Sequence, residues 1–373
     1  DFYMYNFEKL LQKNNIKYDF LLLNNTGKSI KEIKHKNILK KITFPLYGNL
    51  FEECYLFLKR LKFFIISLCM LRKSFKNNYF LYLVVCFSAF HPQYRFNQLI
   101  CLYLKKTFLF KKYKFVLNTY EGHAIDRMIK CVCKLVNKNI INLGYYHGSY
   151  FDNLITCKNK ISSYLHPNYI FVSNHNMKNF FGKNKLKTFK INKKQIKFKK
   201  NKKKQKICAV LPEGVKSEVI ILLNIILEIA KYNKKIKFVF KLHPVLENNK
   251  EITNIFKQLK FKNISLIFFG NFLLKKSKYC IYRGSSSVIE YAQNGSFPYY
   301  MDLPNEKNTD PLHHFGNTNK RYFKNCNQFN KIINLNIERN LQKKLINFSK
   351  NYFYSQKDDS NKIIKLIKKN ERI

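Results

Sequence analysis

The chain has no tryptophan, and only 11 glycines and 8 prolines among its 373 residues. So little Gly and Pro excludes collagen-like and low-complexity architectures. Acids are scarce as well: 22 Asp and Glu stand against 70 Lys and Arg, a formal net charge of +48. An AT-rich gene writes Lys, Asn, Ile, Phe and Tyr into any protein it encodes. The charge attracts nucleic acid, anionic lipid and phosphorylated substrates alike, and alone it does not choose among them. The ten cysteines include no CxxC pair and no zinc-ligand spacing. Most lie in apolar runs, such as Cys86 in LYLVVCFSAF, and read as reduced core thiols of a cytosolic protein.

Long apolar runs are missing too. The best stretches, 63–71 and 79–90, are shorter than the ~20 residues a membrane span needs. They read as buried elements with a basic rim that includes Arg60, Lys62, Arg72 and Lys73. Seating on an anionic membrane surface is the alternative. The first residues, DFYMYNFEKLL, lack the basic region and apolar core of a signal peptide. Asp1 in place of Met reads as a fragment or a processed form.

What is present is a globular composition. Hydrophobic residues make up 46% of the chain, too many for a disordered protein. The length predicts about two domains of roughly 150–200 residues each. Residues 183–206 carry thirteen lysines and no acid, which predicts an exposed connector. It separates an N-terminal half, 1–182, from a C-terminal half, 207–330, followed by basic helices over 331–373. In the C-terminal half, strand patterns at 206–211, 236–242, 264–269, 278–283 and 297–303 alternate with helical patterns at 218–232, 251–259 and 286–293. That alternation predicts a Rossmann-like parallel sheet covered on both faces. The first half shows strand patterns at 113–119, 139–147 and 168–174, and a helical stripe over 123–136. The fold class is therefore α/β, with two Rossmann-like domains, and the C-terminal helices are expected to cross back over the first domain. No internal repeat is evident.

Ligands of a parallel sheet bind beyond the carboxyl ends of its strands. After the first strand of the C-terminal half come Glu213 and Gly214; after the second, His243 and Pro244; after the fourth, Arg283, Gly284, Ser285, Ser286 and Ser287. Gly284 allows a tight turn, and the three serines open a helix bearing Glu290, an anion site or an ordinary N-cap. His243 can donate to a phosphate oxygen, although His91-Pro92 and His166-Pro167 repeat the dipeptide. Glu213 can take a proton from an attacking hydroxyl, or cap the next helix. In the first half, Glu121-Gly122-His123 and His147-Gly148-Ser149 each follow a strand, as acceptor-side groups or as satisfied loop residues.

The combination of Glu-Gly, His-Pro and Gly-Ser-Ser-Ser, each after its own strand, resembles the motif set of bacterial GT-B glycosyltransferases. It is most similar to bacterial sialyltransferases and polysialyltransferases, whose (Asp/Glu)-(Asp/Glu)-Gly, His-Pro and Ser-Ser/Thr motifs come in this order. The chain also resembles surface carbohydrate (surface polysaccharide) biosynthesis proteins in TYEGHAIDRMI, GYYHGSY, LPEG, KLHP and YRGSSSVIEYA, which span roughly 113–303. CDP-glycerol-type polymerases share the His and the Ser-Ser loop.

The resemblance implies a cleft between the two domains. It also implies a nucleotide-sugar donor on the C-terminal domain and a glycan or lipid-linked acceptor facing it, with no metal and no cofactor. Glu213 would be the base, His243 the donor-phosphate contact, and Ser285 and Ser286 the phosphate site. One departure stands out: Pro212 precedes Glu213, so the acidic pair is incomplete, and Glu121 is an alternative base. No Asp-x-Asp motif occurs. The rivals are a polyol-phosphate transferase or sugar-nucleotide epimerase on the same scaffold, and a nucleic-acid-binding protein. No nucleic-acid-binding signature supports the last.

Overall fold

The structure is a computed structural model. It describes residues 5–23, 41–44, 47–71, 78–146, 148, 165–172, 177–178, 180–181, 187–190, 204–246, 249–268, 273, 276–304, 306, 308–316, 318–333, 339–353 and 359–371. Its strands are β1 (Phe20–Leu23), β2 (Lys41–Phe44), β3 (Phe115–Thr119), β4 (Ile141–Tyr146), β5 (Tyr169–Val172), β6 (Thr188–Lys190), β7 (Gln205–Leu211), β8 (Lys237–Lys241), β9 (Ile264–Ile267), β10 (Ser277–Tyr282), β11 (Phe297–Met301) and β12 (Tyr322–Phe323). Every strand pair is parallel.

The C-terminal sheet has six strands in the order β12-β11-β10-β7-β8-β9. Counted from β7, this is the doubly wound Rossmann order, and it reverses between β7 and β10. The sequence explains the layering. β7 runs Ile207 to Leu211 without an exposed side chain, and β11 is buried throughout. Strands covered on both faces need such unbroken apolar runs. The helix Lys216–Tyr232 lays Val219, Leu222, Leu223, Ile226 and Ile229 on its buried side, at the spacing of one helical face.

The N-terminal sheet has four strands in the order β3-β4-β5-β6, beside a two-stranded sheet of β1 and β2. Ile129, Val132 and Cys133 of the helix Ala124–Val136 share a core with Phe44 and Val116. The helix Arg339–Phe353 buries Leu341, Leu345 and Tyr352 in the core of the C-terminal sheet. The last helix, Ser360–Glu371, instead packs Ile363 and Ile367 against Leu143, Tyr145 and Phe171 of the N-terminal sheet. Asp359, just before it, pairs with Lys178 at 3.2 Å.

Four differences from the sequence expectations matter. Within the lysine-rich stretch, Thr188–Lys190 forms the edge strand β6, so that stretch is not connector throughout. An edge strand needs partners on one side only, which a basic segment can satisfy. β12 follows the segment expected to be the last strand and closes the C-terminal sheet. The apolar stretch at 63–71 is the end of a 22-residue helix, Leu50–Leu71, and much of that helix faces solvent. Cys54 and Cys69 on it are exposed, unlike the buried Cys86, Cys133, Cys208, Cys280 and Cys326.

Candidate functional site

Three loops meet where the order of the C-terminal sheet reverses. β7 ends at Leu211 and its chain turns through Glu213 and Gly214 into the helix Lys216–Tyr232. β10, its neighbour in the sheet, ends at Tyr282 and turns through Arg283 and Gly284. The Glu213 carboxylate lies against Gly284: a Cβ added there would sit 1.7 Å from Oε1. On the other side, a Cβ on Gly214 would sit 3.1 Å from His243 Nδ1. A side chain at 284 would push the Glu213 carboxylate aside, and one at 214 would need His243 to give by a few tenths of an ångström. The residues beyond β7, β8 and β10 thus form one cluster at a topological switch point, where open α/β sheets bind ligands.

His243 is exposed, and its Nδ1 accepts the N–H of Val245 at 3.3 Å. In the neutral ring that places the proton on Nε2, available to donate. The other two His-Pro pairs do structural work. His91 Nδ1 accepts the N–H of Gln93 at 3.1 Å and caps the helix Pro92–Lys111. His166 is buried, with Nδ1 2.6 Å from the hydroxyl of Tyr120.

Glu218 is the residue the motif reading passed over. It sits in the first turn of its helix, only 6% exposed, and its Oε2 accepts the N–H of Glu213 at 3.0 Å. Glu213 therefore does not cap that helix; Glu218 reaches back and fixes the loop. Burial pushes the Glu218 carboxyl up to about 7, and repulsion from Glu213 adds to it. Through space, Glu213 regains the acidic neighbour that Pro212 denies it in sequence. Glu218 Oε1 and Arg283 Nε are both buried with no hydrogen-bond partner among the described residues. Arg283 also pairs with Glu306 at 2.6 Å, which ties in the loop after β11.

That loop is anchored from beneath. Tyr282 donates to Asp310 at 2.6 Å, Tyr322 donates to it at 2.8 Å, and Arg321 pairs with it at 3.2 Å. Asp310 and Arg321 side chains are both 0% exposed.

The serine loop is compact. Ser285 and Ser287 hydroxyls lie 2.8 Å apart, and Ser286 is exposed. The helix that follows, Val288–Gln293, has six residues and contains Glu290 in its first turn. Its short length makes its dipole weak, and the donors this loop offers are the serine hydroxyls and the Arg283 guanidinium. Pro244 opens a short helical turn, Pro244–Leu246.

In the N-terminal half, Glu121 and His123 pair at 3.2 Å just beyond β3. Asp126 Oδ2 accepts the N–H groups of Glu121 at 2.8 Å and His123 at 3.1 Å. Burial raises the Asp126 carboxyl, against the pull of those N–H groups. The design repeats that of the other half. In EGHAID and EGVKSE alike, an acid five residues after the Glu holds the turn from the first turn of the helix. His147 lies outside the described residues. No group of three or more His, Cys, Asp or Glu placed to hold a metal ion occurs among the described residues.

No family model matches the chain, and no curated protein does. Solved structures give low-identity likenesses. One is UDP-GlcNAc 2-epimerase from Neisseria meningitidis, 14% identical, with TM-score 0.48, covering 74% of this chain and 81% of that one. The glycosyltransferase SnogD from Streptomyces nogalater is 10% identical, with TM-score 0.46, covering 73% and 78%. MurG of Acinetobacter baumannii is 10% identical, with TM-score 0.44, covering 74% and 79%. The α/β class and the Rossmann order rest on the strand pairing itself.

Proposed function

We propose that this chain is a metal-independent glycosyltransferase of the GT-B kind. It moves a sugar from a nucleotide-sugar donor to a glycan or lipid-linked acceptor, in surface polysaccharide biosynthesis on the cytoplasmic side of the membrane. The observation that carries this reading is the convergence of Glu213, Gly214, His243 and Gly284 at the switch point of the C-terminal sheet. A carboxylate, an N–H donor and hydroxyls in one cluster match what the displacement requires.

In the proposed reaction the acceptor hydroxyl oxygen forms a bond to the anomeric carbon, and its proton passes to Glu213. The bond from that carbon to the donor phosphate oxygen breaks, and the electron pair leaves with the nucleotide. His243 Nε2–H, the hydroxyls of Ser285, Ser286 and Ser287, and Arg283 meet the charge developing on that phosphate. Glu218 holds the backbone of Glu213 and so sets where the base stands. Glu121 and His123 are the acceptor-side pair.

The test is donor consumption by the protein and by Glu213→Gln, His243→Ala and Ser285→Ala. Each substitution is expected to lower turnover about 10²-fold or more. Turnover within about threefold in all of them would place the chemistry elsewhere.

A further inference from the structure

We propose that the helix Leu50–Leu71, with the helix Tyr79–Phe87 packed beside it, is the surface by which this protein docks on an anionic lipid membrane. The inference goes beyond the transfer reaction and stands whether or not that reaction is right.

The exposed face is written into the sequence. Phe51, Cys54, Leu58, Leu61, Ile65 and Cys69 recur every three or four residues, so they form one stripe. All six are exposed: Phe51 by 85%, Leu58 by 62% and Ile65 by 51%. The other side of the same helix does the packing. Leu56 and Ser67 are buried, Phe64 lies 5.3 Å from both Phe87 and Phe90, and Tyr82 donates to the carbonyl of Leu68 at 2.7 Å. The second helix adds the exposed side chains of Tyr79, Phe80, Leu81, Val84 and Phe87. A helix pair that satisfies its own contacts and still presents an apolar face is built for a partner. A depression beside the stripe is lined by Glu53, Cys54, Phe57, Leu58 and Arg60.

The charges select the partner. Lys59 and Lys62 are exposed beside the stripe. Both acids of the helix are neutralised from within the protein. Glu52 accepts from Lys106 at 2.6 Å and from Tyr103 at 2.7 Å, and Glu53 accepts from Arg95 Nε at 2.8 Å. Apolar side chains flanked by cations, with each carboxylate already paired, match acyl chains beneath anionic headgroups. A second copy fits less well, because two-fold pairing of this face sets Lys59 and Lys62 against their own copies. Among the described residues no helix is long and apolar enough to cross a membrane, so the helix lies on the surface.

The absence of tryptophan makes the test clean. Leu58→Trp places one fluorophore on the stripe, and Tyr232→Trp places one at an exposed site on the other half, where Tyr232 is 75% exposed. With vesicles of phosphatidylcholine and phosphatidylglycerol, the expected result is a blue shift from Leu58→Trp and none from Tyr232→Trp. The triple variant Phe51→Ser, Leu58→Ser, Ile65→Ser is expected to keep its melting temperature and to partition at least about 100-fold more weakly. Equal shifts from both reporters, or a triple variant bound as tightly as the parent, would overturn the proposal and leave only diffuse attraction by net charge. A blue shift of Leu58→Trp without vesicles, growing with protein concentration, would overturn it in favour of a second copy.

Discussion

Glu218→Gln removes a buried titrating group while keeping its shape and an oxygen that can accept the Glu213 N–H. In the folded protein the Glu218 carboxyl is raised from its ordinary 4.5 to about 7, first by burial and then by the charge of Glu213. The folded state therefore holds this proton more tightly than the unfolded chain does. Between pH 4.5 and about 7, unfolding releases it, so stability falls as pH rises through that window and stays low above it. The full difference corresponds to about 3 kcal/mol. Glutamine has no such proton. The variant is expected to match the parent near pH 4 and to exceed it by up to about 3 kcal/mol near pH 8.5. Urea unfolding of both proteins across that range reads the difference, since groups not coupled to Glu218 cancel. A gap that does not change with pH, or a variant weaker than the parent at high pH, would refute the buried-carboxyl account.

Two further substitutions test the architecture around the site. Gly284→Ala sets a Cβ 1.7 Å from Glu213 Oε1, which drives a flexible carboxylate aside while sparing the backbone. Its melting temperature is expected to stay close to the parent's while donor consumption falls about 10²-fold, as for Glu213→Gln; unchanged turnover would separate Glu213 from the chemistry. Arg321→Met leaves the Asp310 carboxylate buried without its counter-charge, held only by neutral donors such as Tyr282 and Tyr322. Chemical denaturation is expected to show a loss of about 3–5 kcal/mol, mostly recovered by adding Asp310→Leu; a loss below about 1 kcal/mol contradicts the buried pair.

Much of the C-terminal sheet was legible because parallel strands covered on both faces read as plain apolar runs, and ICAVL and FVF are such runs. β12 was not, since two residues, Tyr322 and Phe323, make no pattern. β6 was hidden by its lysines, which suit an edge strand as well as a connector. Glu213, His243 and Gly284 were legible because each follows a strand, and topology brings strand ends together. Glu218 was missed because motif reading looks to immediate neighbours. Its signal was there: an acid at the third helical residue is placed to reach back over the turn. The same signal at Asp126, five residues after Glu121, exposes the repeated turn that overall sequence similarity does not. The stretch 63–71 was read as buried, with a membrane surface as the alternative, and it is the end of a largely exposed helix. Apolar residues at helical spacing announce a face, but not whether protein or another phase covers it.

The central claim is that the cluster beyond β7, β8 and β10 holds a nucleotide's phosphates. Thermal unfolding against CMP, CDP, UDP, GDP and their sugars tests it most directly, because a ligand bound only by the folded state raises the melting temperature. The account predicts a shift with one nucleotide, abolished in His243→Ala and kept in Phe51→Ser. CMP would indicate an acid sugar such as sialic acid, CDP the polyol-phosphate chemistry, and UDP or GDP a hexose. No shift with any of them, beside a clear shift with oligonucleotides, would contradict the account and make the chain a nucleic-acid-binding protein.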